Sequence, residues 1–264
     1  MVAGEHVALV TGGSRGIGEV VARRIAAEGA TVLIASRDEA RCKTVAEDIR
    51  KGGGHAWPLA FDVTDGASVE RAMEEARMVS SAIGPVDWLV NNAGVAEVHR
   101  VLKPREGSED VYQRQLDLNF HGARRMIEAL LPDMERRGYG RIVNMASSAG
   151  LVGYANMSPY CASKFAVVGY TLAVAKELEG TGVTINAVCP HYVDSPMIDG
   201  HIRSYAERSD KGEPEWRDWF RGQNPGGELV TMQQCAGAVW EALTESYSGV
   251  LLELDGSGTV QRRA

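Results

Sequence analysis

Cysteine is scarce in this 264-residue chain: Cys42, Cys161, Cys189 and Cys235 stand far apart, with no C-x-x-C pair. That spacing argues against a disulfide framework and against a structural zinc site, whose ligands come in close pairs. The four read as reduced, mostly buried thiols. His6, His55, His99, His121 and His201 form no spaced cluster either, so no metal is expected. No apolar run approaches the roughly 20 residues that span a bilayer. The N-terminus has no basic segment followed by a long apolar one. The expectation is therefore a cytoplasmic protein with no membrane partner. Dense basic runs are missing too: the Arg pairs at 23–24, 124–125, 136–137 and 262–263 are scattered, and the formal net charge is −7. Nucleic acid is not an expected partner.

What is present is globular, with 44% hydrophobic and 24% charged residues. No internal repeat or low-complexity linker divides it, so residues 1–264 read as one domain. Short β-branched runs alternate with helical patterns. Strands are expected at Val7–Thr11, Thr31–Ala35, Ala56–Phe61, Val86–Asn91, Arg141–Ala146, Val183–Val188 and Val250–Leu254. Most are continuously apolar, as in parallel strands buried on both faces. Pro58 suits an edge position in the third. Ile17, Val21 and Ile25 mark a first helix ending near Gly29, and further helices are expected at 67–83, 107–135 and Pro159–Glu179. Phe165, Val168, Leu172 and Ala175 share one face of the last, and Met73 and Met78 read as core fillers. Such alternation predicts an α/β fold, a single-domain, Rossmann-type doubly wound parallel sheet of about seven strands with helices on both faces.

Residues 195–228 break the rhythm: they are polar, highly charged and dotted with Trp216, Trp219 and Phe220. Two readings stand, a solvated excursion or a substrate lid at the carboxyl edge of the sheet. Five cations there (Arg203, Arg208, Lys211, Arg217, Arg221) are matched by seven acids, so no cationic funnel follows.

After the first strand the chain runs Thr11-Gly12-Gly13-Ser14-Arg15-Gly16-Ile17-Gly18 straight into a helix. Glycines permit a tight turn and close approach to a pyrophosphate, and the helix N-terminus supplies amides and a positive dipole end. At the end of the second strand, where a carboxylate would accept from a ribose 2′-hydroxyl, stand Ser36 and Arg37. With Arg15 in the turn, they favour NADP(H) over NAD(H), because a guanidinium binds a 2′-phosphate. An ordinary solvated arginine remains the other reading of Arg37, and Asp38 beside it keeps that open.

Tyr160 and Lys164 lie one helical turn apart in Tyr160-Cys161-Ala162-Ser163-Lys164. A neighbouring ammonium is expected to lower the phenol pKa. Cys161 reads as a packing residue rather than a nucleophile. With Ser147 upstream, these residues resemble the short-chain dehydrogenase/reductase family, in its compact single-domain subtype, from about Glu5 to Gly258. The motif T-G-x-x-x-G-x-G is Thr11 to Gly18, and Asp62-Val63 match the adenine contact. Asn91-Asn92-Ala93-Gly94 match the N-N-A-G motif, and Asn119, Ser147, Tyr160 and Lys164 match the tetrad.

The resemblance implies an oxidoreductase that moves a hydride between nicotinamide and a ketone or secondary alcohol. Tyr160 would exchange the proton, and Lys164 would hold the nicotinamide ribose and lower the Tyr160 pKa. Ser147 would bond the substrate oxygen, with Ser148 the better candidate for a local backbone bond. Asn119 would set a backbone kink and a water. Cofactor contacts are implied for Gly12, Ser14, Arg15, Gly16, Ile17, Gly18, Arg37, Asp62, Val63, Asn92, Ala93, Gly94, Tyr160, Lys164, Pro190, Val193 and Ser195. The family's usual homotetramer or homodimer is expected, through the helix after Ser147 and the one before it.

One position departs from the pattern. In Cys189-Pro190-His191-Tyr192-Val193-Asp194-Ser195, His191 stands where the family has glycine. It either contacts substrate or nicotinamide, or is a tolerated, solvent-facing substitution turned against the lid. Tyr154, His191, Tyr192 and Trp216 are candidate substrate contacts, and the apolar pocket frame suits a medium or large hydrophobic ketone such as a 3-oxoacyl, polyketide or steroid substrate. The alternatives are an NAD-dependent alcohol dehydrogenase, a non-catalytic dinucleotide sensor, or a lyase or epimerase with a further acid or base.

Overall fold

Every residue of five strands is buried, as their mostly apolar runs predict. The computed structural model describes residues 6–103 and 109–263. Glu5 and residues 107–108 of the expected third helix lie outside the described residues. The strands are β1 (Val7–Thr11), β2 (Thr31–Ser36), β3 (His55–Ala60), β4 (Val86–Asn91), β5 (Gly140–Met145), β6 (Val183–Pro190), β7 (Val193–Asp194), β8 (Val230–Thr231), β9 (Leu251–Leu254) and β10 (Val260–Arg263). Eight form one sheet in the order β10-β9-β6-β5-β4-β1-β2-β3, while β7 and β8 pair separately. All neighbours in the large sheet are parallel except β9 and β10.

The expected parallel α/β sheet is present, with one strand more than the seven predicted. β10 reads Val-Gln-Arg-Arg and is mostly exposed, so it carries no apolar signature. Its place comes from backbone pairing with β9. Pro58 does sit on the edge strand β3, where its missing N–H breaks no ladder.

Helices α1 (Gly16–Ala27), α2 (Glu39–Lys51) and α9 (Met232–Thr244) cover one face of the sheet. The other is covered by α3 (Gly66–Ile83), α5 (Gly122–Arg137) and the C-terminal part of α6 (Ser158–Glu177). α4 (Glu109–Leu116) enters α5 through a wide π turn at Asp117–His121.

The face assigned to α6 is corrected. Val168 and Ala175 are buried, but Phe165 is 46% exposed and Leu172 also stands outside. This helix is apolar on most of its circumference, so its periodicity selects no side. Likewise Met73 is core while Met78 is 69% exposed. Residues 195–228 are not a loop: they form α7 (Pro196–Ala206) and α8 (Glu213–Gln223). Each has proline in its first turn, where no N–H is needed. Ile198, Ile202 and Phe220 form a satellite core with Tyr192, Tyr205, Trp216 and Leu229.

Strand order reverses between β2 and β4 around β1, which places a crevice at their carboxyl ends. Thr11, Asn91, Met145 and Pro190 end the strands there.

Candidate active site

The glycine turn is fixed from across the sheet. Asn92 Nδ2 donates to the Thr11 carbonyl at 3.1 Å and the Gly12 carbonyl at 3.3 Å. Thr11 Oγ1 in return accepts from the Asn92 and Ala93 amides at 3.0 and 3.1 Å. Gly12 has φ +65°, and a Cβ on Gly18 would lie 2.3 Å from the Gly12 carbonyl oxygen. Both positions therefore require glycine. Arg15 precedes α1 in extended backbone and offers no side-chain cap, leaving the first amides of the helix for an anion. Across the crevice, a Cβ built on Gly16 would lie 4.0 Å from Pro196 Cδ at the start of α7. The cradle fits a dinucleotide pyrophosphate. Ile17 is partly buried beside it, and Ser14 is buried in the turn itself.

Ser36 Oγ accepts the Asp38 amide, and the Asp38 carboxylate caps α2 by accepting from the Arg41 amide. Asp38 thus has a structural role. The Arg37 side chain is 70% exposed, with its guanidinium 3.6 Å from Asp62. Burial works to raise the Asp62 carboxyl. Hydrogen bonds from the Thr64 amide and hydroxyl, with Arg37 alongside, outweigh it and hold the group below its usual range. Val63 is buried next to Asp62.

Asn119 sits inside the π turn, which widens the helix and turns its side chain inward. Its Oδ1 accepts the Val95 amide at 2.8 Å, and its Nδ2 donates to the Val95 carbonyl and to Ser163 Oγ, each at 2.9 Å. A Cβ on Gly94 would touch both Asn119 Oδ1 and Lys164 Nζ, so these three converge. Lys164 Nζ donates to the Met145 carbonyl at 2.7 Å and lies 5.8 Å from the Tyr160 ring centre.

Ser147 ends the β5 segment. Its Oγ accepts the Ala149 amide at 3.1 Å, donates to the Pro190 carbonyl at 3.4 Å, and hydrogen-bonds the Tyr160 phenol. The expectation for the two serines is corrected: Ser147 makes the local backbone bond, and Ser148 reaches the Tyr154 hydroxyl at 2.8 Å.

The expected lowering of Tyr160 by Lys164 is also corrected. Burial pushes the phenol up to about 12, against a smaller downward effect of the Ser147 bond. Burial likewise pushes the Lys164 ammonium down to about 8. Desolvation outweighs the mutual attraction of the two groups when both are enclosed by protein.

His191 faces neither solvent nor the lid. Its side chain is 7% exposed, with Nε2 2.9 Å from Glu253 Oε1 and Nδ1 3.3 Å from the Tyr154 hydroxyl. Tyr154 meets Tyr192 edge to face, and Tyr192 meets Phe220 in the same way. Val193 pairs with Val230, and the buried Ser195 precedes α7 without capping it. Trp216 is taken up by the lid itself: its ring packs on Tyr205 and its N–H donates to Ser209.

Sequence reasoning missed Glu253, Ser163 and the buried chain Asn91–Asn144–Thr171, whose members bond in series at 2.9 Å. Glu253 had a readable signal, an acid inside the apolar run Leu251–Leu254. Ser163 had none, because its partner lies 44 residues away.

Residues 6–205 match the family described as short chain dehydrogenase. A protein assigned as a ketoacyl reductase of the monensin polyketide synthase of Streptomyces virginiae is 37% identical over 254 residues, 93% of this chain and 92% of that one. A 2-dehydro-3-deoxy-L-rhamnonate dehydrogenase (NAD(+)) of a Sphingomonas species is 36% identical over 91% of this chain and 89% of its own length. Among solved structures, a variant of actinorhodin polyketide ketoreductase with NADPH superposes at a TM-score of 0.88, with 32% identity and 97% of both chains covered. With a family match over three quarters of its length and relatives this similar across nearly all of it, the chain belongs to the short-chain dehydrogenase family and is an oxidoreductase of that family.

Proposed function

We propose that this chain is an NADP(H)-dependent ketoreductase acting on a medium or large hydrophobic ketone. The observation that carries it is the convergence of Asn119, Ser147, Tyr160 and Lys164 in one enclosed site beside the glycine turn. A bound nicotinamide dinucleotide supplies the hydride in reduction and accepts it in oxidation. The amides of Ser14 to Gly18, with Gly12, hold the pyrophosphate. Asp62 and Val63 take the adenine side, and Asn92, Ala93 and Gly94 line the middle. Pro190, Val193 and Ser195 face the carboxamide side, and Lys164 holds the ribose.

In reduction, Tyr160 donates its phenolic proton to the substrate carbonyl oxygen, and a phenol held protonated by burial suits that role at neutral pH. Ser147 donates a hydrogen bond to the same oxygen as negative charge develops there. Asn119, fixed by Val95 and Ser163, keeps the π turn open next to Lys164. The α7–α8 segment acts as the lid, with its own aromatic core keeping it in one piece as it closes.

NADP(H) is favoured by the exposed Arg37 and Arg15 and the lack of an acid at Ser36. The NADPH bound by the actinorhodin enzyme points the same way. A second reading is an NAD-dependent dehydrogenase, favoured by the ion pair that occupies Arg37 with Asp62 and by the NAD-linked Sphingomonas relative. We also infer a homodimer or homotetramer built on α6, whose outer face exposes Ala162, Phe165, Gly169, Leu172 and Ala173. Light scattering that gives a monomer overturns this assembly. A cytoplasmic location accords with the four free cysteines.

The test is NADPH oxidation followed by absorbance across diketones, 3-oxoacyl thioesters, steroids and bulky aryl ketones, with NADH in parallel. Turnover that prefers NADPH is expected. A preference for NADH selects the second reading, and turnover of no ketone in either direction with either cofactor overturns both.

A further inference from the structure

Two tyrosines share one shelf beside the site. Tyr160 bonds Ser147 and Tyr154 bonds the next residue, Ser148, and the Tyr160 phenol feels the electrostatic influence of Tyr154. What separates them lies behind Tyr154. Glu253, in the otherwise apolar strand β9, has its side chain 8% exposed and meets Arg263 of β10 on one oxygen and His191 on the other. A carboxylate is acceptor-only, so the His191 nitrogen facing it carries a hydrogen and donates. In the neutral ring the opposite nitrogen, Nδ1, is then bare and accepts. Its partner at 3.3 Å is the Tyr154 hydroxyl, which has one hydrogen to give. The Tyr154–Ser148 contact at 2.8 Å must then be donated by Ser148.

We propose that Glu253 and His191 are positioning residues that take up the Tyr154 hydrogen, so that of the paired phenols only Tyr160 donates to substrate, while the Tyr154 oxygen, already accepting from Ser148, keeps one lone pair free as an acceptor. The substrate class this selects is a ketone carrying a hydroxyl or enol donor near the reacting carbonyl. The inference rests on the reading of Tyr160 as proton donor. It also accounts for the departure from the family pattern at His191, since glycine there leaves the Tyr154 hydrogen free. β10 enters the network through Arg263, which gives the strand at the end of the chain a link to the catalytic shelf.

The direct test needs no substrate. In the full-length protein with 15N-labelled histidine, long-range proton–nitrogen spectra report which ring nitrogen is protonated, with His191 identified by the signal lost in His191→Phe. A neutral ring protonated on Nε2 is expected, with Nδ1 shifting in Tyr154→Phe as its donor is removed. Protonation on Nδ1, or on both nitrogens, overturns the proposal.

The functional arm compares a hydroxyketone with its deoxy counterpart. Wild type is expected to favour the hydroxyketone in KM by about tenfold, a hydrogen bond's worth of discrimination. His191→Phe should shrink that preference to under about threefold with the NADPH dissociation constant unchanged. An equal fall in kcat for both substrates indicates a purely structural role and overturns it. If wild type reduces neither ketone, the ketoreductase reading fails, and the ring protonation still decides the hydrogen-bond direction on its own. Where His191→Phe does not fold, Tyr154→Phe carries the same substrate comparison.

Discussion

The glycine turn keeps its shape through bonds that each join one side chain to the main chain: the Asn92 carboxamide donates to the Thr11 and Gly12 carbonyls, and the Thr11 hydroxyl accepts the Asn92 and Ala93 amides. The wall beside Tyr160 keeps its shape through side chains in series, from Arg263 through Glu253 and His191 to Tyr154 and Ser148. The turn tolerates little change in geometry because each of these bonds ends on the main chain at the close of a strand, and a Cβ at Gly18 would already collide. A side-chain site can be rewired by one substitution while the ladder beneath it stays intact. The two regions are thus held by different physical means, one by bonds that end on the main chain and the other by bonds between side chains.

The largest expected effect lies where the two regions meet. Tyr160→Phe should cut kcat by about 10²–10⁴-fold, the usual contribution of a positioned acid. Its dinucleotide dissociation constant, read by fluorescence titration, should stay within a few-fold. Cofactor affinity lost along with turnover breaks the separation. Next in size, Arg37→Asp should weaken NADPH binding by about tenfold or more, because a charge-assisted bond to phosphate is lost and a like charge set against it. NADH binding should change far less, and equal losses for both cofactors would remove Arg37 from 2′-phosphate recognition.

The smallest expected effect is on stability against pH. Lys164 is held at about 8 in the fold and near 10.5 when unfolded, so the unfolded chain binds the extra proton between those values. Its contribution to stability therefore rises with pH from about 8 to 10.5. Tyr160 is raised to about 12 from about 10, so its contribution falls as pH climbs above 10. Melting curves of wild type and Lys164→Met from pH 7 to 10 should converge as pH rises. A constant gap would mean that Lys164 keeps its proton across the range.

How legible the site was follows the same division. Thr11 to Gly18, Asn91 to Gly94 and Tyr160 to Lys164 are short runs whose spacing is fixed by one turn or one helix, so these motifs were readable in order along the chain. The polarity of Tyr160 was misjudged because charge proximity is visible in a helix and desolvation is not. Residues 195–228 broke the rhythm of the sequence because the apolar residues of α7 and α8 face one another rather than the main core, and their outer faces are charged.

The sequence by itself determined the parallel sheet, the glycine turn at its carboxyl edge and the motifs that place the chain in its family. Strand burial, turn geometry and helix spacing act over fewer than about ten residues, the range of a strand or a few helical turns. Only the tertiary structure decided that β10 closes the sheet, that Ser147 and Ser148 serve different tyrosines, and that His191 turns toward Glu253, 62 residues further along the chain. The His191–Glu253 contact joins segments that no local period connects, and it forms only when β6 and β9 lie side by side.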